Sequence, residues 1–301
     1  MDIIKSVFDT AEKFMEDPKH VLIDKSMLRH LASVMEEEGI TKFPNELNLD
    51  ETKLEGKIRS EFLKDEIRLE LLASSVNYCY WYGKADLRPN NASSVLMYDL
   101  LRKSYEDCGA VPYWGFKEMV DNYIALLAEN RFPLLEERKR HLYEVINNWE
   151  TFIPMVARGD IILEEERLPI LFDVLVRTFP GFGADIFLKR ASLFFMQLNR
   201  KFGWYENNIN KLPVPADYQV PKMLEFYGAI KYNEELFRRV MNEELIPKGS
   251  LMECEIRAAT IVACRFISDQ IGWTSQQVDS WLWLRRKKCG KSFHLTITTD
   301  Y

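Results

Sequence analysis

The sequence predicts an all-α, or mainly α, protein on three observations. Apolar residues recur at helical spacing in several long segments, two-residue alternation appears only near the end of the chain, and no Gly/Ser-rich tract or repeat interrupts it. With 301 residues, 47% hydrophobic and 13% aromatic, the chain buries roughly three quarters of its unfolded surface as one globular unit over residues 1–301, or as two intimate lobes.

The elements follow in order. Lys57–Val76 places Ile58, Phe62, Ile67 and Leu71 near helical spacing, and Lys117–Glu129 does the same with Val120, Tyr123, Ile124 and Leu127. In FPGFGADIFLKRASLFFMQL, Pro180-Gly181-Phe182-Gly183 turns the chain and a helical apolar pattern resumes from Asp185 to Leu198. Residues 203–215 carry enough aromatics and prolines to form an ordered loop inside one domain. Met223, Leu224, Tyr227 and Ile230 repeat the helical spacing, and Ile256, Ala259, Ala263, Phe266 and Ile267 give the clearest stripe, over Glu253–Ile271. Arg285-Arg286-Lys287-Lys288, with Lys291 beyond, suits a solvated helix C-terminus that Gly290 closes. His294-Leu295-Thr296-Ile297-Thr298 alternates as a short strand with a small edge pairing.

Composition excludes several classes. No window reaches the ~18 apolar residues of a membrane span, and Met1–Glu16 mixes acids and bases in an amphipathic pattern unlike a signal-peptide core. The 5 cysteines are odd in number, widely spaced and without a CxxC pair or a histidine at ligand spacing. These features predict a reduced, cytoplasmic protein with no metal and no cofactor. A net charge of −6 disfavours stable binding to nucleic acid, which rests on several Lys and Arg contacts to phosphates.

One stretch concentrates the chemistry. VPADYQVPK sets Asp217 between Pro215 and Pro221, ahead of a helical run. Proline fixes φ near −65°, so Asp217 is held closely, and two readings stand open: a helix N-cap, or a carboxylate pre-positioned for reaction. Upstream, the helix, glycine turn and helix around Pro180–Gly183 resemble the helix-hairpin-helix element of DNA base-excision glycosylases. Those proteins carry a lysine on the second helix and an essential aspartate after a proline-containing loop; the matching positions are Lys189 and Asp217.

A closer resemblance runs from about residue 70 to the C-terminal end. Asn77-Tyr78-Cys79-Tyr80-Trp81, Phe132-Pro133-Leu134-Leu135-Glu136-Glu137-Arg138, Lys189-Arg190-Ala191, Ala216-Asp217-Tyr218 with Pro221, Gly228-Ala229-Ile230-Lys231-Tyr232, Glu253 with Glu255-Ile256-Arg257, and Asp279 with Leu282-Trp283 are similar, in order, to blocks of the queuosine salvage proteins. Val21-Leu22-Ile23-Asp24 and Phe43-Pro44 match shorter family patterns. The resemblance implies a mostly helical relative of the DNA glycosylases that hydrolyses queuosine 5′-phosphate to the base queuine and ribose 5-phosphate. Its partners would be that nucleotide and its product, with no membrane.

Cleaving an N-glycosidic bond develops positive charge on the ribose, which a fixed carboxylate stabilises, attacks, or supplies with oriented water. Asp217 is the candidate. Lys189 is a phosphate ligand, a partner that keeps Asp217 ionised, or a surface residue. Queuine offers N–H donors on a guanine-like edge and a cationic amine on its arm, so it calls for carboxylates and aromatic faces. Asp279 beside Trp281 and Trp283 fits that need, the alternative being that both tryptophans are core. Asn77, Tyr78, Trp81, Tyr218 and Pro221 complete the expected pocket wall. Glu253, Glu255 and Arg257, like Glu136, Glu137 and Arg138, suit structural ion pairs at helix starts. Leu284 stands where relatives often carry a second acid, which bears on the amine. Two further functions remain on this evidence: a DNA glycosylase for a damaged base, and a non-catalytic nucleotide-binding protein.

Overall fold

The computed structural model describes residues 2–41, 56–82, 92–108, 115–157, 167–206, 208–290 and 292–301, with only the backbone of 56–60. Phe43-Pro44, Lys291 and the Ile58 side chain therefore lie outside the described residues.

Two long helices form the centre of one side: α3 (Gly56–Ser75) packs along α6 (Leu135–Ala157). Helices α4 (Ser94–Asp107) and α5 (Phe116–Glu129) cover them, α5 burying Phe116, Val120, Tyr123 and Leu127 on its predicted face. On the other side α12 (Leu251–Ile271) is flanked by α1 (Ile3–Phe14) and α2 (Lys25–Glu38). Between them run α7 (Leu168–Thr178), the single turn α8 (Pro180–Gly183) and α9 (Lys189–Phe202), which packs on α3. Helices α10 (Gln219–Phe226), α11 (Glu234–Met241) and α13 (Ser275–Arg285) complete the set, with α10 against α13. The predicted mainly α class holds.

The helix starts are chemically specified. Asp2, Asp24, Ser93, Asn233 and Ser250 each accept a backbone N–H in the first turn of the helix that follows. Thr274 and Gln277 cap α13 reciprocally, the Thr-x-x-Gln arrangement that satisfies two otherwise orphaned donors.

The structure departs from the periodicity in four places. Ile230, counted with a helical stripe, lies in β2 (Ile230–Tyr232), which pairs antiparallel with β1 (Val21–Ile23), Ile23 opposite Ile230. Gly228, at φ +71°, ends the helical run where an L-residue would be strained. Helix α9 begins at Lys189 and not at Asp185, because Leu188 takes a left-handed φ of 50° just before it. The C-terminal alternation makes one parallel bridge, Leu295 with Leu245, and the two-stranded sheet is built from other residues. Gly290 does not close α13: a 3-10 turn over Arg286–Lys288 follows the helix directly.

Candidate functional site

Residues 76–81, which follow α3, form a buried, irregular strip held by Arg138 and Lys189 and flanked by Arg190. Arg138, at the start of α6, donates to the carbonyls of Val76, Tyr78 (2.6 Å), Cys79 (2.5 Å) and Pro133 (2.8 Å). Arg190 donates to the carbonyls of Ser75 and Gly181. The Lys189 ammonium donates to the Asn77 carbonyl at 2.8 Å and reaches its side-chain oxygen at 3.4 Å. Buried carbonyls need such partners, and no regular ladder supplies them here. Cys79 sits at φ 30°, and its N–H donates to the Tyr301 carbonyl at 2.9 Å.

Asp217 lies across from this strip. Its N–H closes a tight turn onto the Pro215 carbonyl at 2.8 Å, and its Oδ1 accepts from the N–H of Gln219 at 2.7 Å and of Val220 at 3.4 Å. The two sequence readings are thus compatible: one carboxylate both ties down the start of α10 and faces a cavity.

That cavity has a volume of about 910 Å³. Asn77, Lys189, Asp217, Tyr218, Asp279 and Trp283 all line it, drawn from four separate stretches of chain. Tyr78, Trp81 and Pro221 are not among its lining residues. Tyr78 is sandwiched between the guanidinium groups of Arg138 and Arg190, 4.5 and 5.2 Å from its ring centre. Trp81 is fully buried and meets Tyr218 edge-on at 4.4 Å, so it props the wall from behind. Pro221 is buried within α10. The tryptophan alternative divides: Trp281 is core, whereas Trp283 lines the cavity with the Arg286 guanidinium over its ring.

Burial shapes the site's charges. Lys189 has its pKa lowered to about 8 by desolvation, with the Asp217 charge the chief opposing influence. Asp217 is raised by the same desolvation, opposed first by Lys189 and then by the Gln219 N–H. Asp279 is pushed up to about 6 by burial, although Arg200 donates to it at 3.0 Å. An acid and a base of this kind, moved towards neutrality and sharing one cavity, are what proton transfer and charge stabilisation near pH 7 require.

Several lining residues carried no sequence signal. Arg200, on the last turn of α9, bridges Gln197 and Asp279. Tyr98 and Gln197 bond each other at 3.3 Å, and Tyr98 is anchored on the buried Glu70 at 2.6 Å. Lys222, Arg286 and Lys287 bring three cations to the cavity wall; Lys287 and Lys288 are exposed, as expected of a solvated helix end, while Arg286 is half-buried. The side-chain oxygen of Gln219 is buried in the wall with no hydrogen-bond partner among the described residues. Of the expected ion pairs, Glu253–Arg257 forms at 3.3 Å. Glu255 instead accepts the N–H groups of Lys19, His20 and Val21, and Arg138 holds carbonyls.

A helical protein with carboxylates, a buried lysine and several further cations around one nucleotide-sized chamber is, by class, a binder or processor of a small charged ligand. The family model for the queuosine salvage protein matches residues 64–299, and the chain belongs to that family. It is 28% identical over 277 residues to the queuosine 5′-phosphate N-glycosylase/hydrolase of Sphaerobacter thermophilus, covering 85% of this chain and 82% of the relative. Proteins of the same name from Dictyostelium discoideum and Mus musculus are 32% and 26% identical over 142 and 164 residues. Those two matches span 43% and 46% of this chain and 44% and 45% of the relatives.

Proposed function

We propose that this chain hydrolyses queuosine 5′-phosphate, releasing queuine for reuse in tRNA modification and leaving ribose 5-phosphate. The observation that carries the reading is the shared cavity of Asp217 and Lys189, each shifted by burial and each the other's main counter-charge.

In the reaction the bond between the anomeric carbon and the base nitrogen breaks, and its electron pair leaves with the base. Water supplies the new oxygen at that carbon; one of its protons stays on the sugar hydroxyl and the other ends on the base. Asp217 faces the developing ribose cation and orients the water, with Oδ1 held by two backbone N–H groups so that no reorganisation is needed at the moment of cleavage. Lys189, fixed on the Asn77 carbonyl, keeps Asp217 ionised. The 5′-phosphate sits against Lys222, Arg286 and Lys287, while Asp279, oriented by Arg200, and Trp283 receive the heterocycle. The Gln219 side-chain oxygen, without a partner among the described residues, supplies one acceptor for a ligand N–H or O–H. No helix among the described residues is long and apolar enough to cross a membrane; the proposed setting is the cytosol, in keeping with the odd and scattered cysteines.

The test is incubation of the purified protein with queuosine 5′-monophosphate and detection of free queuine by mass spectrometry. A folded sample that releases none overturns the reading.

A further inference from the structure

The two groups at the centre of the site lie on different segments, Lys189 at the start of α9 and Asp217 in the loop before α10, yet their spacing has to be held for either to act. One side chain spans both segments. Arg257, in the second turn of α12, is 1% exposed and points its guanidinium three ways. Nη2 donates to Asp185 Oδ2 at 2.7 Å, Nε to the Ala216 carbonyl at 3.0 Å, and Nη1 to Glu253 Oε1 at 3.3 Å. The rings of Phe187 and Tyr301 lie 4.8 and 4.3 Å from its centre.

Both of the first two contacts end one step from the chemistry. Asp185 Oδ2 also accepts the N–H of Lys189 at 2.8 Å, and Oδ1 accepts that of Phe187 at 3.0 Å. Asp185 therefore caps the first turn of α9 in place of Leu188, which makes no side-chain cap bond there. Ala216 is fully buried, and its carbonyl belongs to the peptide that leads into Asp217. A planar guanidinium has fixed angles between its donors, so these contacts set the distance from one backbone segment to the other as well as neutralising Asp185.

We propose that Arg257 is a positioning residue for the hydrolysis, a rigid tie that sets Lys189 against Asp217. It touches neither substrate nor reacting atoms. The inference rests on the function proposed above. A misplacement of about 1 Å at a reacting pair costs on the order of a hundredfold in rate.

Arg257→Lys keeps the charge but replaces the fork by a single ammonium, which cannot hold both segments in the same geometry. The expected result is a fall in kcat of about a hundredfold, with KM for queuosine 5′-monophosphate changed by less than about threefold. Most of the walls expected to bind the ligand, Asp279 and Trp283 on α13, Arg200 at the far end of α9 and Arg286 and Lys287 beyond α13, lie on segments that Arg257 does not tie. Titration with queuine counts the competent sites, so that partial unfolding is not mistaken for loss of rate. Glu253→Gln, which takes the charge from the third contact and leaves those to Asp185 and Ala216 in place, should leave kcat within about threefold of the parent. A second readout separates positioning from stability alone. Lys189 is faced by Asp217, Asp185, Arg190 and Arg257. Asp185→Asn removes a charge that favours its protonation, and Arg257→Gln one that opposes it, so the alkaline limbs of kcat/KM should move down and up in pH respectively.

Parent-like kcat in Arg257→Lys overturns the inference, as does a loss found wholly in site count or KM. Limbs that stay put or move together in the other two variants overturn it as well. If Arg257→Lys yields no folded protein, Asp185→Asn decides alone: an unmoved limb with parent kcat sinks the tie. Absence of turnover by the parent protein itself would instead reject the function on which the inference depends.

Discussion

At the scale of single residues, Asp217 carries the sharpest expectations. Asn at this position retains an oxygen for the Gln219 and Val220 N–H groups, so Asp217→Asn should keep the thermal midpoint and nucleotide binding while hydrolysis drops at least about a hundredfold. Asp217→Ala also loses the two side-chain bonds to Gln219 and Val220, and should cost about 1 kcal/mol of stability by chemical denaturation. Activity that survives the first change nearly intact would reject the charge-stabilisation role. The pH profile follows from the same groups. Lys189, lowered to about 8, loses its charge above that pH, and Asp279, raised to about 6, is protonated below it. Turnover should therefore be bell-shaped with limbs near those values. Lys189→Met removes a cation that lowers both Asp217 and Asp279, so residual activity should show its acid limb at higher pH. For stability the sign is fixed as well. The folded-state pKa of Lys189 lies below its ordinary 10.5, so its buried charge opposes folding below about 8, and that opposition fades as pH rises through 10.5.

At the scale of elements, the helices over 57–76, 117–129 and 253–271 were legible because amphipathic spacing is a local property, most plainly in the Glu253–Ile271 stripe. Asp217 and Lys189 were legible through their place in family blocks and through the prolines. What was hidden depends on partners distant in sequence. Nothing near Arg138 announces that it will hold carbonyls about 60 residues earlier. That Arg286 and Lys287 reach the cavity depends on a 3-10 continuation of α13 that Gly290 does not predict. Ile230 was misread because a helical stripe and a three-residue strand share apolar spacing until Gly228 breaks the turn. Two substitutions probe this level. Gly183→Ala would bring a Cβ to 2.9 Å from the Val176 carbonyl oxygen at the junction of α7 and α8, and should destabilise by about 1–3 kcal/mol. Arg190→Met leaves the Ser75 and Gly181 carbonyls without their donor, and a loss of about 3 kcal/mol or more is expected from urea denaturation.

At the scale of the whole molecule, a chain of net charge −6 encloses a chamber that carries several cations on its wall. The arrangement admits a small anion and disfavours a long one, since a duplex demands basic contacts spread over many phosphates. Lesion-bearing duplex DNA should accordingly show no measurable binding at ~0.15 M salt. Replacing Lys222 or Lys287 by Ala should raise KM for the nucleotide severalfold and leave the corresponding nucleoside unaffected; equal effects on both would remove these lysines from the phosphate.

The arginine-clamped strip at residues 76–81 carries one more consequence. Segments without secondary structure ordinarily exchange their amide hydrogens through small local fluctuations. Here the Cys79 amide is sealed under Tyr301, and the neighbouring carbonyls are gripped by Arg138. Deuterium should enter that amide only as fast as the entire molecule opens, so a stretch with a coil-like backbone would report global unfolding as faithfully as the middle of α12.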